Sequence, residues 1–335
     1  MGNTTFMKKI ELKAIAIATI MAVLASCTPD VAEMPTCSST LHGYSAAYPL
    51  PAGIATRDVV PCSYGIINTT TAGISTVAGF TGTGQYRQNG VYNPDDGCYY
   101  VLGNTGTPYF TGGTPGYTIF KISSSGAITS YGKVGGDSCG YFSLNYDEVH
   151  DKFFAVRMSS VQNELCELTL SGTTFTSSPV LSAGSIVSAL YFTIDQNTGD
   201  KYYTGVNPST FSTTLYKLPW GGSATLVSTA PANVYVLAIN YNTNDDNIYG
   251  IRTNDSVNFK LARIDLSTGT HTELGAVIPG LEGRVYSIAL DRCSDKIYIS
   301  TGNSVAQLMQ FDIATGALLR NDTVSSIYQG LSVQY

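Results

Sequence analysis

The chain has 335 residues, of which 13% are charged, and 18 Lys and Arg against 24 Asp and Glu leave a net charge of −6. So few cations on an acidic balance exclude the basic footprint that nucleic-acid binding requires. The 34 Gly and 23 Tyr fit a turn-rich β-protein rather than a helical one.

The first element is a targeting segment. Lys8, Lys9 and Lys13 precede an apolar run from Ala14 to Ser26. That run is too short for a membrane-spanning helix of roughly 20 residues and suits a secretory signal. It ends Leu24-Ala25-Ser26-Cys27. An aliphatic residue and two small ones before a cysteine resemble the bacterial lipobox. The resemblance implies that Cys27 is lipidated, begins the mature chain and holds it to a membrane. Residues 1–26 are then a lipoprotein signal peptide. Residues 27–55, with Pro, Ser and Thr and no clear period, are expected to be a tether that adds at most one strand to the repeat domain. The expected location is the bacterial cell envelope, lipid-anchored and either periplasmic or surface-exposed.

Of seven cysteines, lipidating Cys27 leaves Cys37, Cys62, Cys98, Cys139, Cys166 and Cys293, an even number suited to an oxidising compartment. Spacing leaves their pairing open. Cys37 with Cys62 is the most local option, and buried thiols are the alternative. The absence of CxxC argues against a zinc site.

Residues 56–335 carry two repeating motifs. One is a small residue, an aliphatic and then usually Asn, Asp or Gln. It occurs at Ser143-Leu144-Asn145, Thr193-Ile194-Asp195, Ala238-Ile239-Asn240, Ala289-Leu290-Asp291 and Ser332-Val333-Gln334, with a poorer copy at Gly90-Val91-Tyr92. Turns rich in Asn, Asp and Gly follow the first five, then strands such as Ile248-Tyr249 and Ile297-Tyr298. The other motif is a short hairpin loop ending at Gly73, Gly126, Gly172, Gly222, Gly269 or Gly316, where glycine would supply a left-handed residue. Both recur about every 43–53 residues, the period of a propeller blade.

Each repeat holds four strands, so the expectation is an all-β, six-bladed β-propeller of four-stranded antiparallel blades. The inner-strand motif has its last copy at 331–335, while the first hairpin, at Gly73, precedes every inner-strand copy. The C-terminal inner strand should therefore join the N-terminal outer strands in one blade and close the ring. Segments such as Ala238-Ile239-Asn240-Tyr241-Asn242, Asn247-Ile248-Tyr249-Gly250-Ile251 and Leu261-Ala262-Arg263-Ile264-Asp265 resemble repeats of TolB-like bacterial propellers. That resemblance implies a fold and no particular function.

Candidate sites are few. Asn89-Gly90-Val91-Tyr92-Asn93 resembles the inner-strand segment of gluconolactonase-like propellers. There the resemblance implies a divalent cation in the channel, with Asn89 and Glu282 as ligands. In the repeat register, however, these two residues fall in different layers. The turn acids are expected to brace turns rather than hold calcium. His42, His150 and His271 are expected at the surface, and Trp220 either stacks on a ligand or covers a blade edge. The longer loops lie at the end opposite the glycine hairpins and carry Tyr86, Arg87, Tyr109, Phe110, Tyr131, Glu282 and Arg284. Aromatic and Arg side chains on loops of a rigid scaffold suit a ligand face. The leading expectation is a non-catalytic binding or scaffolding propeller for a protein, peptide or glycan, with no cofactor. The alternative is a propeller enzyme, either a metal-dependent lactonase-like hydrolase or a glycan-acting hydrolase or lyase.

Overall fold

The structure, a computed structural model, describes residues 37–47, 59–83, 90–104, 116–136, 140–158, 163–182, 191–207, 209–281, 285–302 and 305–335. The chain divides into two compact units, Met1–Ser38 and Ser39–Tyr335. Among the described residues the second is all-β apart from one short 3-10 turn at Val134–Gly136.

Its strands run in groups of four. First come β1 (Thr40–Ala47), β2 (Val59–Ile67) and β3 (Ile74–Thr83). Then follow β4 (Gly90–Asn93), β5 (Cys98–Asn104), β6 (Tyr117–Ser123) and β7 (Ile128–Lys133), and after them β8 (Gly140–Asp147), β9 (Lys152–Met158), β10 (Asn163–Ser171) and β11 (Thr174–Ser182). The next group is β12 (Phe192–Ile194), β13 (Lys201–Asn207), β14 (Ser212–Leu218) and β15 (Thr225–Thr229). The fifth is β16 (Tyr235–Asn242), β17 (Asn247–Thr253), β18 (Phe259–Asp265) and β19 (His271–Leu274). The last full group is β20 (Val285–Asp291), β21 (Lys296–Gly302), β22 (Ala306–Asp312) and β23 (Leu318–Val324), followed by the single strand β24 (Ser326–Gln334).

Within each group, consecutive strands pair antiparallel. A single parallel bridge, Gly132 to Thr174, joins the β4–β7 group to the β8–β11 group at their outer strands. β24 completes the first sheet, whose order is β24-β1-β2-β3, with Leu41 opposite Val333 and Tyr44 opposite Gln329. The C-terminal strand thus occupies the inner position beside N-terminal strands. β1 lies in the stretch read as a tether and supplies the strand between β24 and β2. The inner strands touch in the cyclic order β24, β4, β8, β12, β16, β20 and back to β24.

The tyrosine-rich composition is explained between the sheets. Tyr64 stacks on Tyr99 at 4.5 Å, Tyr100 meets Phe153 at 4.5 Å, and Tyr202 stacks on Tyr241 at 5.4 Å. A phenol ring fills the space between two sheets, and its hydroxyl reaches the polar turns at their ends. Burying each such ring contributes ~1.5–3 kcal/mol.

Three expectations are corrected. Cys37 is disulfide-bonded, whereas Cys62, Cys98 and Cys166 are buried thiols, so Cys62 is not the partner of Cys37. His42 is buried, not at the surface. Its ring stacks on Tyr92 at 4.7 Å, and its nitrogens lie 2.8 Å from Tyr64 Oη and 2.9 Å from Gln334 Oε1. The left-handed residue of the first and fourth hairpins is not the expected glycine: Ala72 (φ 56°) takes it in place of Gly73, and Gly221 (φ 67°) in place of Gly222.

Candidate functional site

The site is built by a turn chemistry repeated at the end of five of the six inner strands. Asn93, Asp147, Asp195, Asn242 and Asp291 each accept the backbone N–H two residues on, at 2.9–3.1 Å. A short polar side chain that caps its own turn in this way fixes where the strand stops. Four residues after each cap stands a left-handed residue, Gly97, Asp151, Gly199, Asp246 or Asp295, with φ between 51° and 72°. Only Gly, Asn and Asp take that conformation at little cost. The turn acids also receive phenols. Tyr100 donates to Asp96 and Tyr249 to Asp245, both at 2.6 Å, and Tyr241 donates to Asp246 at 2.7 Å. Tyr146 Oη lies 2.7 Å from Asp151 and also against Asp95, joining two neighbouring turns. These carboxylates brace the turns.

The caps define two layers of side chains around a cavity of about 120 Å³. Two residues before each cap, or the matching position of β24, stand Val91, Asn145, Thr193, Asn240, Ala289 and Ser332, all lining that cavity. Small size here follows from close approach: Ser332 Oγ accepts Tyr92 N–H at 3.1 Å, and Thr193 Oγ1 accepts Tyr241 N–H at 2.9 Å. Neighbouring inner strands are knitted together by these hydroxyls. Asn240 Nδ2 is buried without a partner.

One residue after four of the five caps, at the rim, stand Glu148, Gln196, Thr243 and Arg292, with Tyr335 at the matching position of β24. The rim is cross-linked. Gln196 Oε1 accepts Glu148 N–H at 3.0 Å, and Gln196 Nε2 donates to Tyr146 O at 2.8 Å. Arg292 donates to Thr243 Oγ1 at 2.8 Å and lies 4.1 Å over the Tyr335 ring. Burial pushes the Glu148 carboxyl above the usual range; Arg292 pulls it back, while Asp95 and Asp147 push it further up.

Beside the rim, between β8–β9 and β13, is a buried cation. Lys201 Nζ lies 2.8 Å from Asp147 Oδ2, donates to Gly199 O at 2.6 Å, and sits 4.3 Å and 4.2 Å from the Phe154 and Trp220 ring centroids. Burial lowers its pKa and the Asp147 carboxylate opposes that shift. Trp220 also stacks on His150 at 3.7 Å and meets the Phe154 ring edge-on at 6.4 Å. Trp220 therefore covers the junction of two sheets, and Asp147 anchors the cation beneath it.

Cys27, Tyr86, Arg87, Asn89, Tyr109, Phe110, Glu282 and Arg284 lie outside the described residues. Tyr131 is on β7, not in a loop; half-buried, it meets Phe175 edge-on at 5.1 Å and fills the contact between two sheets. Sequence reading passed over the rim residues, although each stands one position after a turn cap. The expectation that no G-x-S-x-G pattern occurs is also corrected, because Gly136-Asp137-Ser138-Cys139-Gly140 matches it. That pattern marks a nucleophile only on a strand-to-helix turn, and here it leads into the strand β8. Among the described residues, no group of three or more His, Cys, Asp or Glu is placed to hold a metal ion.

This architecture is similar to that of solved β-propeller structures. TolB from Acinetobacter baumannii aligns over 89% of this chain and 67% of its own, with a TM-score of 0.59 and 13% identity. The periplasmic gluconolactonase from Pseudomonas aeruginosa aligns over 88% of this chain and 99% of its own, with a TM-score of 0.57 and 10% identity. At such identities the likeness is one of fold. Residues 203–332 match a family described as a repeat of unknown function (DUF6923). No curated protein matches the sequence.

Proposed function

We propose that the chain is a lipid-anchored protein of the bacterial envelope whose six four-stranded groups form a closed six-bladed propeller, and that it binds a partner rather than catalysing a reaction. The cyclic contact order of the inner strands supports the blade count. The Leu24-Ala25-Ser26-Cys27 junction supports the anchor. The observation that carries the binding reading is the channel wall. Its inner layer is amide, hydroxyl and apolar side chains, and two of its hydroxyls already hold neighbouring strands together. Such a wall offers hydrogen bonds to a polar ligand and no nucleophile beside a base. A protein, peptide or glycan partner docks on the long-loop end, through Tyr86, Arg87, Tyr109, Phe110 and Arg284.

The second reading, a metal-dependent lactonase-like hydrolase, is favoured by the fold likeness to a gluconolactonase, with Asn89 and Glu282 as ligands of a divalent cation. Metal analysis of the purified full chain, with thermal melting in calcium or zinc, separates the two. Binding without catalysis predicts no stoichiometric metal and no melting shift; one tightly held cation with a clear shift overturns it. For the anchor, Cys27→Ser should move the protein from the membrane to the soluble fraction, and retention of the variant in the membrane would contradict lipidation.

A further inference from the structure

Glu148 and Arg292 occupy the same position in their repeats, one residue after the caps Asp147 and Asp291. In the cycle of inner strands, β8 and β20 are three steps apart in either direction, so the two side chains face each other across the rim. They do not form an ion pair. Among the described residues, the Glu148 carboxylate makes neither a hydrogen bond nor an ion pair. Arg292 is held by Thr243 Oγ1 and the Tyr335 ring, which use one N–H and one face of its guanidinium and leave other donors available. Below the rim, Asn145, Asn240, Thr193 and Ser332 line the cavity, and Asn240 presents a buried N–H without an acceptor.

A fixed cation and an unpaired carboxylate on opposite walls, over a floor of amides and hydroxyls, are complementary to a small molecule carrying both charges. The cavity of about 120 Å³ is several times the ~10–15 Å³ that a single water needs, which suits a small ligand. We propose that this end of the channel binds a zwitterion, a free α-amino acid or a dipeptide, with its carboxylate on Arg292 and its ammonium on Glu148. The charge distribution sets that orientation: Asp95 and Asp147 add negative potential on the Glu148 side, while Arg292 stands opposite among Thr243 and Tyr335. The site lies at the capped end of the inner strands. The proposal rests on the reading of the chain as a binding propeller, and it gives that propeller a small-molecule ligand in addition to any docked partner.

The test is calorimetric titration of the purified full chain in detergent with the twenty common L-amino acids and diglycine. The tightest of these is then compared with its N-acetyl and carboxamide derivatives. The expected result is saturable one-to-one binding that weakens about tenfold or more when either end is capped, the loss expected when a charged hydrogen-bonding group goes unmatched. Glu148→Gln should abolish the advantage of a free amine while leaving that of a free carboxylate, and Arg292→Met should do the reverse. Glu148→Gln removes no hydrogen bond of the fold, so its melting temperature should match the parent. Arg292→Lys, which keeps the charge, should retain part of the carboxylate preference if Arg292→Met unfolds. No binding by any of these probes, or equal binding of capped and free forms, overturns the proposal. Either result leaves the binding reading itself to be decided by partner capture on the long-loop end.

Discussion

The Arg292 guanidinium lies 4.1 Å over the Tyr335 ring, and the Tyr335 hydroxyl accepts the Arg292 N–H at 3.0 Å while donating to Leu290 O at 2.8 Å. One aromatic side chain just past β24 thereby ties that strand to the turn after β20. The same contact fixes a wall of the cavity, so closure of the sheet cycle and order at the rim are one feature.

Tyr335→Phe removes the two hydrogen bonds and keeps the ring under Arg292, whereas Tyr335→Ala removes both. The expected losses of stability are ~1 kcal/mol for Phe and ~2 kcal/mol for Ala, read from urea unfolding. Equal losses would mean that the ring contributes nothing.

Gly90 and Gly330 bring β4 and β24 together over the Tyr99 hydroxyl, which donates to Gly330 O. A Cβ at Gly90 would collide with Tyr99 Oη. Gly90→Ala should cost ~1–3 kcal/mol, and Tyr99→Phe in the same chain should recover part of it by removing the colliding atom. Additive losses in the double variant would show that the clash is not with this hydroxyl.

Lys201 and Asp147 are a buried pair between two sheets. Lys201→Met leaves Asp147 buried without its cation and should destabilise by about 3–5 kcal/mol. Asp147→Asn combined with Lys201→Met should cost clearly less than the sum of the single changes. A small effect of Lys201→Met would show that neither the ion pair nor the cation–π contacts with Phe154 and Trp220 hold these sheets together.

His42 is held neutral by burial, which lowers its pKa, and the Nε2–H tautomer satisfies both Tyr64 Oη and Gln334 Oε1. The unfolded chain takes up this proton near pH 6.5, while the folded chain does so only at lower pH. The unfolded state therefore binds more protons in that window, and stability should fall as pH drops below about 6.5, levelling off below the folded-state pKa. His271, lowered by burial and by Arg252, acts in the same direction. Urea unfolding between pH 7.5 and 5 should show this slope, and His42→Gln should reduce it, leaving the His271 contribution. An unchanged slope would place the titration elsewhere.

Much of the architecture was legible because strand period, turn residues and a repeat of about 50 residues all speak to the same arrangement. The register was less legible. The small–aliphatic–Asn motif mixes two positions: Asp195 and Asp291 are caps, whereas Asn145 and Asn240 stand two residues before theirs. Side chains two apart on a strand share a face, so a slip of two leaves the hydrophobic pattern intact. Only the cap hydrogen bonds reveal it. Once the caps are aligned, Glu148, Gln196, Thr243 and Arg292 fall into one layer, which the unaligned motif conceals. Burial of His42 could not be read either, because its partner Gln334 is on the strand that closes the sheet.

The placement of β24 is tested most directly by native-state hydrogen exchange followed by mass spectrometry. If β24 is the inner strand of the first sheet, peptides covering 326–334 and 40–47 should be protected together and lose protection in one cooperative opening, as slowly as β20 and β21. Fast, independent exchange of 326–334 while 40–47 stays protected would contradict the closed arrangement, and with it the channel on which the functional reading depends.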